Sequence, residues 1–187
     1  MINEWFKKAK YISVPGAKQD KNNNADGEYL ICDKCEKKII LEEYEKLHKV
    51  CPLCKYHKRL TAFERLGYII DKKSFVEKYD NLETVNPLEL DGYLERIEKL
   101  KKTTGLDEAV LTGFGTINGM ETGIGIMDST FLMATMGSVV GEKLTRLFEE
   151  AAERRLPIVI FAASGGARMH EGILSHMQMA KAPGREN

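Results

Sequence analysis

The sequence predicts an α/β fold preceded by a small four-cysteine module, and three stretches of sequence support that prediction. Ile158–Phe161 is a short apolar run rich in β-branched residues, as expected for a buried strand of an α/β sheet. Two further runs, 109–117 and 121–127, predict strands joined through Asn118-Gly119, a pair that favours a tight hairpin. The third stretch holds two Cys-x-x-Cys motifs near the N-terminus.

The composition excludes few classes of function, but it indicates the cellular compartment. Lys plus Arg equals Asp plus Glu at 28 each, so the overall charge gives no argument for a nucleic acid or a membrane as partner. No apolar run approaches the ~20 residues that span a bilayer, and the N-terminus lacks the apolar core of a secretory signal. We therefore expect a cytoplasmic protein with reduced cysteines and no membrane contact.

Changes in composition along the chain predict four regions. Residues 1–26 are polar and predict a mobile tail. Residues 27–58 contain all the cysteines, residues 59–107 alternate short helical patterns with breakers, and residues 108–187 hold the predicted strands. We interpret them in order as tail, metal module, helical connector and α/β core.

The four cysteines have the spacing of a zinc ribbon. Cys32 and Cys35 form one Cys-x-x-Cys pair, Cys51 and Cys54 form the other, and fifteen residues separate the pairs. Two such turns supply a tetrahedron of thiolates for one zinc ion, with no coordination position left for a substrate. A thioredoxin-like redox pair or a labile disulfide is the alternative. Short strands are expected over 38–41 and within 44–50.

The same module is locally basic, which suggests a rival function. The basic residues are Lys34, Lys37, Lys38, Lys46, Lys49, Lys55, Lys58 and Arg59. Such a surface can contact nucleic acid or cover the mouth of an active site. A solvated lysine-rich face is the plainer interpretation. His48 and His57 lie nearby and are able to replace a cysteine ligand, although surface positions are more common for them.

Helix-capping patterns define the connector. Thr61–Glu64 and Ser74–Glu77 both match a capping box, and Asp91 is placed to cap the helix that follows it. No catalytic residues are expected here.

Two glycine-containing helix starts are the candidate binding sites of the core. Gly137, Ser138 and Gly141 begin a helix that carries Lys143 and Arg146, an arrangement that suits an anionic phosphate. The apolar face of this helix is predicted at Val140, Leu144, Leu147, Phe148 and Ala151. Close packing through small residues explains these glycines equally well.

The second candidate is the turn after the apolar strand. Gly165, Gly166 and Ala167 are expected at the start of a helix, where free amides bind an anionic phosphate or enolate oxygen. A purely structural turn is the alternative. The segment is neither a nucleophile elbow nor a P-loop nor a dinucleotide fingerprint. The helix that follows carries Ile173, Leu174, Met177 and Ala180 at spacings near three and four, so one of its faces is apolar and its start is expected near Ala167.

These motifs resemble one known family. Four segments are together similar to the carboxyltransferase β subunit of bacterial-type acetyl-CoA carboxylase. They are Met136–Glu142 (MGSVVGE), Ser164–Met169 (SGGARM), Glu171-Gly172 and Met177–Lys181 (MQMAK). Asn86-Pro87 and the four cysteines extend the resemblance over nearly the whole chain. The resemblance implies a partial crotonase-like core behind a zinc ribbon.

The chain departs from the family pattern at two points. His170 stands where the family usually has glutamine, and we expect it to be an exposed substitution. The family also continues for about another half-domain after the MQMAK stretch, so the resemblance implies a chain truncated at its C-terminus. Natural truncation, frameshift and fragment are equally open.

The resemblance implies a reaction, in which a carboxyl group passes from carboxybiotin to acetyl-CoA and gives malonyl-CoA for fatty acid synthesis. The implied partners are a carboxyltransferase α subunit in an α2β2 heterotetramer, the biotin carboxyl carrier protein that bears the biotin, and biotin carboxylase. ATP binding is implied with them. The amides of Gly165, Gly166 and Ala167 would serve as oxyanion donors, with a companion glycine pair in the segment that this chain lacks. The phosphates of CoA would suit Gly137, Ser138 and Gly141.

Side-chain roles in this scheme are structural. Arg168 is expected in a salt bridge or a phosphate contact, and Glu171 beside the positive end of its own helix. Two other classes of function stay open, a zinc-ribbon protein that binds nucleic acid and a non-catalytic assembly subunit.

Overall fold

A computed structural model describes residues 28–182, which fall into two compact units that divide between residues 59 and 60. The predicted tail, 1–26, and the last residues, 183–187, lie outside the described part of the chain. The finer boundaries between connector and core remain a prediction. Within residues 28–182, none of the helices combines the length and the apolar character that a bilayer crossing requires.

The first unit is a small two-stranded module. Strand β1, Tyr29–Ile31, pairs antiparallel with β2, Lys38–Ile40, and helix α1, Leu41–Lys46, follows directly. The expected strand near residue 38 is confirmed. The expectation of a further strand from Tyr44 was wrong there, because the Tyr44 side chain is buried on α1 against the cysteines. A single antiparallel bridge, Val50 to His57, closes the second cysteine turn.

The second unit is a mixed sheet covered by helices. Its elements are α2 Ala62–Ile69, β3 Val76–Glu77, α3 Tyr93–Thr104, β4 Val110–Ile117, β5 Met120–Met127, α4 Ser138–Glu153, β6 Ile158–Phe161 and α5 Ile173–Lys181. The strand order is β3-β4-β5-β6, with the first two pairings antiparallel and the last parallel. The α/β class is therefore confirmed.

The predicted hairpin forms the centre of this sheet. Strands β4 and β5 pair along their whole length, from Val110 opposite Met127 to Ile117 opposite Met120. Asn118 and Gly119 both have positive φ, at 52° and 79°, which is the conformation that a primed two-residue turn needs.

Helix α4 makes the crossover between the parallel strands β5 and β6. Its buried side chains include Val140, Leu144, Leu147 and Ala151, spaced at three and four residues, so one apolar stripe packs on the sheet. This face is the one that the sequence predicts.

The connector is only partly as expected. Thr61 and Glu64 form the predicted capping box at the start of α2. Ser74 does not begin a helix, since its hydroxyl donates to the Asp71 carbonyl and the chain then enters strand β3. Asp91 does not cap α3, because the residue at the N-cap is Gly92, in the left-handed conformation at φ 72°.

Helix α5 turns a polar face inward and its predicted apolar face outward. Its buried residues are the polar Ser175 and Gln178. Ile173 and Met177, from the predicted apolar face, are 71% and 58% exposed. The apolar face therefore lies outward, because the space against α4 at Gly141 is filled by the Gln178 side chain.

Candidate functional site

The glycine turn follows β6 and lies exposed at the surface of the second unit. Ser164, Gly165 and Gly166 are all exposed, and a side chain added at Gly166 would meet nothing within 4 Å. Its backbone is held by a neighbouring segment: the Met136 amide donates to the Gly166 carbonyl at 2.9 Å, and the Arg168 amide donates to the Met136 carbonyl at 3.0 Å. The turn is therefore open on one side and fixed on the other.

The three predicted oxyanion donors differ in availability. The Gly165 amide already donates to the Met133 carbonyl at 2.8 Å, so it cannot serve a ligand in this conformation. The Gly166 amide donates to the Ser164 hydroxyl at 3.0 Å. The Ala167 amide has no acceptor among residues 28–182. Gly166 and Ala167 remain the candidate donors.

The turn does not start an α-helix, which corrects the sequence interpretation. A 3-10 turn, Met169–Glu171, comes first, and α5 begins only at Ile173. Gly172 separates them with φ 55° and ψ −134°, a conformation that helices do not contain. The amides of Gly165–Ala167 are therefore not those of the first turn of α5.

The segment that supports the turn has an unusual backbone. Leu132, Met133 and Ala134 have φ values of 43°, 55° and 55°, so three consecutive non-glycine residues are left-handed. Each such residue costs about 1–2 kcal/mol relative to a right-handed conformation. A turn of this kind persists only where surrounding contacts outweigh its strain.

Arg168 lies completely buried behind the turn, in a bidentate ion pair. Its Nη1 and Nη2 atoms donate to the two carboxylate oxygens of Glu108 at 2.6 and 2.7 Å, and both side chains are 0% exposed. Burial opposes the charge on Arg168, but hydrogen bonds and attraction from Glu108 outweigh it and raise its pKa. Of the two predicted roles of Arg168, the salt bridge is observed, and its burial excludes direct phosphate contact here.

Glu171 is the second carboxylate of this buried group. It contacts Arg168 at 3.4 Å and accepts a hydrogen bond from the Tyr93 hydroxyl at 2.9 Å. Its other oxygen accepts from the Ser138 amide at 2.5 Å. The prediction that Glu171 lies at a helix start is thus met at α4 and not at its own helix.

The predicted phosphate site at the start of α4 is filled by protein groups. A Cβ at Gly137 would lie 2.5 Å from a Glu171 oxygen, and one at Gly141 would lie 2.3 Å from Gln178. Ser138 gives its amide to Glu171. Close packing, the alternative interpretation, therefore describes these small residues, and a CoA phosphate contact through Gly137, Ser138 and Gly141 stays an untested prediction.

Of the two basic residues of α4, one is buried and the other is ion-paired. Lys143 is 1% exposed, and its ammonium has no hydrogen-bond partner within residues 28–182. Desolvation lowers the pKa of Lys143. Arg146 pairs with Glu142 one turn away at 2.7 Å.

His170 is half-buried, because its ring stacks on Tyr93 with the centroids 4.8 Å apart and the planes at 12°. The expectation of an exposed substitution was therefore wrong. The sequence analysis also missed Glu108, Thr135 and Tyr93 as members of this group. No sequence signal marked them, since a single acidic residue before a strand is common.

The four cysteines of the first unit form a second, separate candidate site. Their sulfur atoms all lie within 4.8 Å of one another, with Cys32 to Cys54 at 3.7 Å and Cys35 to Cys51 at 3.9 Å. A zinc ion with bonds of about 2.3 Å places its sulfurs about 3.8 Å apart in a tetrahedron. The donor set therefore fits zinc closely.

The negative charge of the cysteine thiolates also favours a bound cation. Backbone N–H groups of Cys35 and Lys34 lower the pKa of Cys32 to about 6, whereas desolvation raises the pKa of Cys54 to about 12. Four thiolates this close repel one another, so a bound dication is what allows all four to ionise. His48 and His57 are outside the cluster as it stands in residues 28–182.

The basic residues of the first unit are mostly exposed, and some are paired. Lys46 contacts Glu42 at 2.7 Å, and Lys58 contacts Asp33 at 3.1 Å. Such pairs are expected on a solvated face and do not distinguish it from a nucleic-acid surface.

The parallel strand pair, its helical crossover and the glycine turn agree with a crotonase-like carboxyl transferase fold, and comparison with known proteins confirms this predicted fold class. The sequence profile described as carboxyl transferase domain matches residues 56–186. The chain belongs to this carboxyl transferase domain family. The transcarboxylase 12S core, solved with methylmalonyl-CoA, is similar at TM-score 0.56 and 26% identity, over 76% of this chain and 25% of that one.

Two curated relatives agree with the resemblance. Acetyl-coenzyme A carboxylase carboxyl transferase subunit beta of Clostridium botulinum (strain Kyoto / Type A2) is 49% identical over 187 residues, covering 97% of this chain and 65% of the relative. The subunits beta/alpha protein of Natranaerobius thermophilus is 47% identical over 193 residues, covering 97% and 32%. The chain thus spans just under two thirds of the botulinum relative.

Proposed function

We propose that this chain is a carboxyltransferase β component of acetyl-CoA carboxylase, which helps transfer a carboxyl group from carboxybiotin to acetyl-CoA to give malonyl-CoA. The observation that carries the proposal is the exposed glycine turn, rigidly backed by the Arg168 ion pair, in a chain 49% identical to a named β subunit. A turn needed only for connection has no reason to be anchored in this way.

The amides of Gly166 and Ala167 would stabilise negative oxygen. A thioester oxygen gains negative charge when acetyl-CoA becomes an enolate. A preorganised N–H donor at such an oxygen lowers the activation free energy by about 3–4 kcal/mol. The Ala167 amide is free within residues 28–182, and the Gly166 amide becomes free when the Ser164 side chain rotates. No side-chain nucleophile is required.

Biotin and the protein partners belong to the proposal as well. Carboxybiotin on a biotin carboxyl carrier protein supplies the carboxyl group, and biotin carboxylase recharges it. The α subunit, in an α2β2 assembly, provides the rest of the biotin site. ATP binding is assigned to the assembled enzyme, since this chain has neither a P-loop nor a dinucleotide fingerprint. We place this assembly in the cytoplasm.

One structural zinc ion is proposed for the cysteine cluster. The four sulfurs fill its coordination sphere, so the ion stabilises the first unit and takes no part in the transfer.

The test is transfer from malonyl-CoA to free biotin, measured with and without the α subunit. Ala167→Pro removes the free amide, whereas Ala167→Ser keeps it. We expect Ala167→Pro to lower kcat about 100-fold, because one oxyanion donor is lost. Wild-type activity with an equally active proline variant would remove the amide from the mechanism. Complete absence of transfer would favour the assembly subunit.

Nucleic-acid binding by the cysteine module remains the alternative from another class. Salt-dependent RNA or DNA binding that disappears when Cys51 and Cys54 are changed to serine would support it.

A further inference from the structure

We infer that Arg168 is a positioning residue for the proposed carboxyl transfer, because it clamps the left-handed turn Leu132–Ala134 against the glycine turn and so fixes the outward amides. The inference rests on the proposed function. Arg168 does not touch substrate in this scheme, since its side chain is 0% exposed.

The guanidinium of Arg168 uses every one of its donor nitrogens. Two contacts reach Glu108 and one reaches Glu171. The others go to Thr135, where Nε donates to the hydroxyl at 3.2 Å and Nη2 donates to the carbonyl at 2.9 Å. Thr135 is thus held at its backbone and its side chain by one group.

Thr135 is the residue that leaves the left-handed turn. Its amide donates to the Leu132 carbonyl at 3.1 Å, which closes the turn. The central residue, Met133, presents the carbonyl that accepts from Gly165 at 2.8 Å. A strained turn that lost its anchor at Thr135 would relax, and the Gly165 contact would move with it.

The clamp also keeps the two segments in register. Met136 follows Thr135 and pairs in parallel with Ala167, one residue before Arg168. The side chain and the backbone of Arg168 therefore act on the same segment, at Thr135 and Met136. Glu108 fixes the guanidinium from behind through both oxygens, a geometry that a lysine cannot reproduce.

The decisive variant is Thr135→Val, which removes the hydroxyl acceptor and keeps the side-chain shape. Thr135→Ser restores the hydroxyl and serves as the conservative rescue. Substitution of Arg168 itself would leave the buried Glu108 carboxylate without its cationic partner and disturb folding, so it is a poorer test.

The experiment measures malonyl-CoA to biotin transfer by the full chain with its α subunit, and hydrogen exchange of the same proteins. We expect Thr135→Val to lower kcat about 10-fold with KM within about twofold of wild type, because amide placement matters in the transition state. Exchange should accelerate in segments 131–137 and 163–168 but not in the β4–β5 hairpin. Thr135→Ser should restore both properties.

The outcomes separate the two proposals. An active wild type whose Thr135→Val variant has unchanged kcat, or a raised KM alone, overturns the positioning role and leaves the proposed function intact. Uniformly faster exchange in the valine variant also overturns it, since that marks general destabilisation. A wild type without transfer overturns the proposed function and the positioning role with it, whereas local acceleration of exchange would still establish the physical clamp.

Discussion

Glu77 on β3 should make the stability of the second unit depend on pH. Desolvation raises the pKa of this half-buried carboxyl from 4.5 to about 7; Lys143 opposes the change, and Asp107 and Asp80 add to it. Between these pH values the folded protein binds more protons than the unfolded chain. The contribution of Glu77 to stability is therefore fully present below about pH 4.5 and is lost as the pH rises through about 7.

The size of the effect follows from that window. Each pH unit in which one group differs in protonation contributes up to 1.36 kcal/mol, or about 3 kcal/mol in total. Because the carboxyl is partly exposed, solvent screening reduces this to about 1–2 kcal/mol. The Glu77→Gln variant has no proton to lose and should not show this part of the pH dependence.

Urea unfolding at about pH 5 and about pH 7.5 measures the difference. The free energy of unfolding of wild type should fall by about 1–2 kcal/mol more than that of Glu77→Gln over this interval. Glu95→Gln, the same change at an exposed position on α3, should follow wild type. Parallel pH dependence of wild type and Glu77→Gln would refute the assignment of the raised pKa.

Two further predictions concern the metal module and the first helix of the core. Cys51→Ser should lower the zinc content from about one ion per chain to nearly none and expose residues 28–59 to proteolysis, since a four-thiolate site needs every ligand. Atomic absorption measures the zinc and limited proteolysis measures the folding. A module that is folded but free of metal would contradict the zinc assignment. Thr61→Ala should lower the free energy of unfolding in urea by about 1 kcal/mol, because the capping box with Glu64 is lost. Thr61→Ser should recover most of that loss. Equal losses in both variants would assign the effect to packing.

Local patterns in the sequence predicted the elements whose causes are local. The Asn118-Gly119 hairpin, the Thr61 capping box and the apolar stripe of α4 each depend on residues within a few positions of one another. The spacing of the cysteines likewise predicted which sulfurs meet.

The interior of the candidate site could not be predicted in this way. Arg168 and its partner Glu108 are 60 residues apart, and nothing near either residue indicates the other. The helix start expected at Ala167 failed because Gly172 interrupts the helical pattern, a backbone conformation that composition does not reveal. Tertiary contacts overrode the helical periodicity in α5, where Gln178 faces inward and Ile173 faces water.

That outward-facing side of α5 has a practical consequence for the isolated polypeptide. Ile173, Leu174 and Met177 leave 71%, 40% and 58% of their surfaces in water, and apolar area in water costs about 25 cal/mol for each Å². A preparation of this chain alone should therefore bind fluorescent dyes such as ANS and precipitate more readily as kosmotropic salt is added. Replacing Ile173 with a charged residue offers the simplest route to a colloidally stable sample.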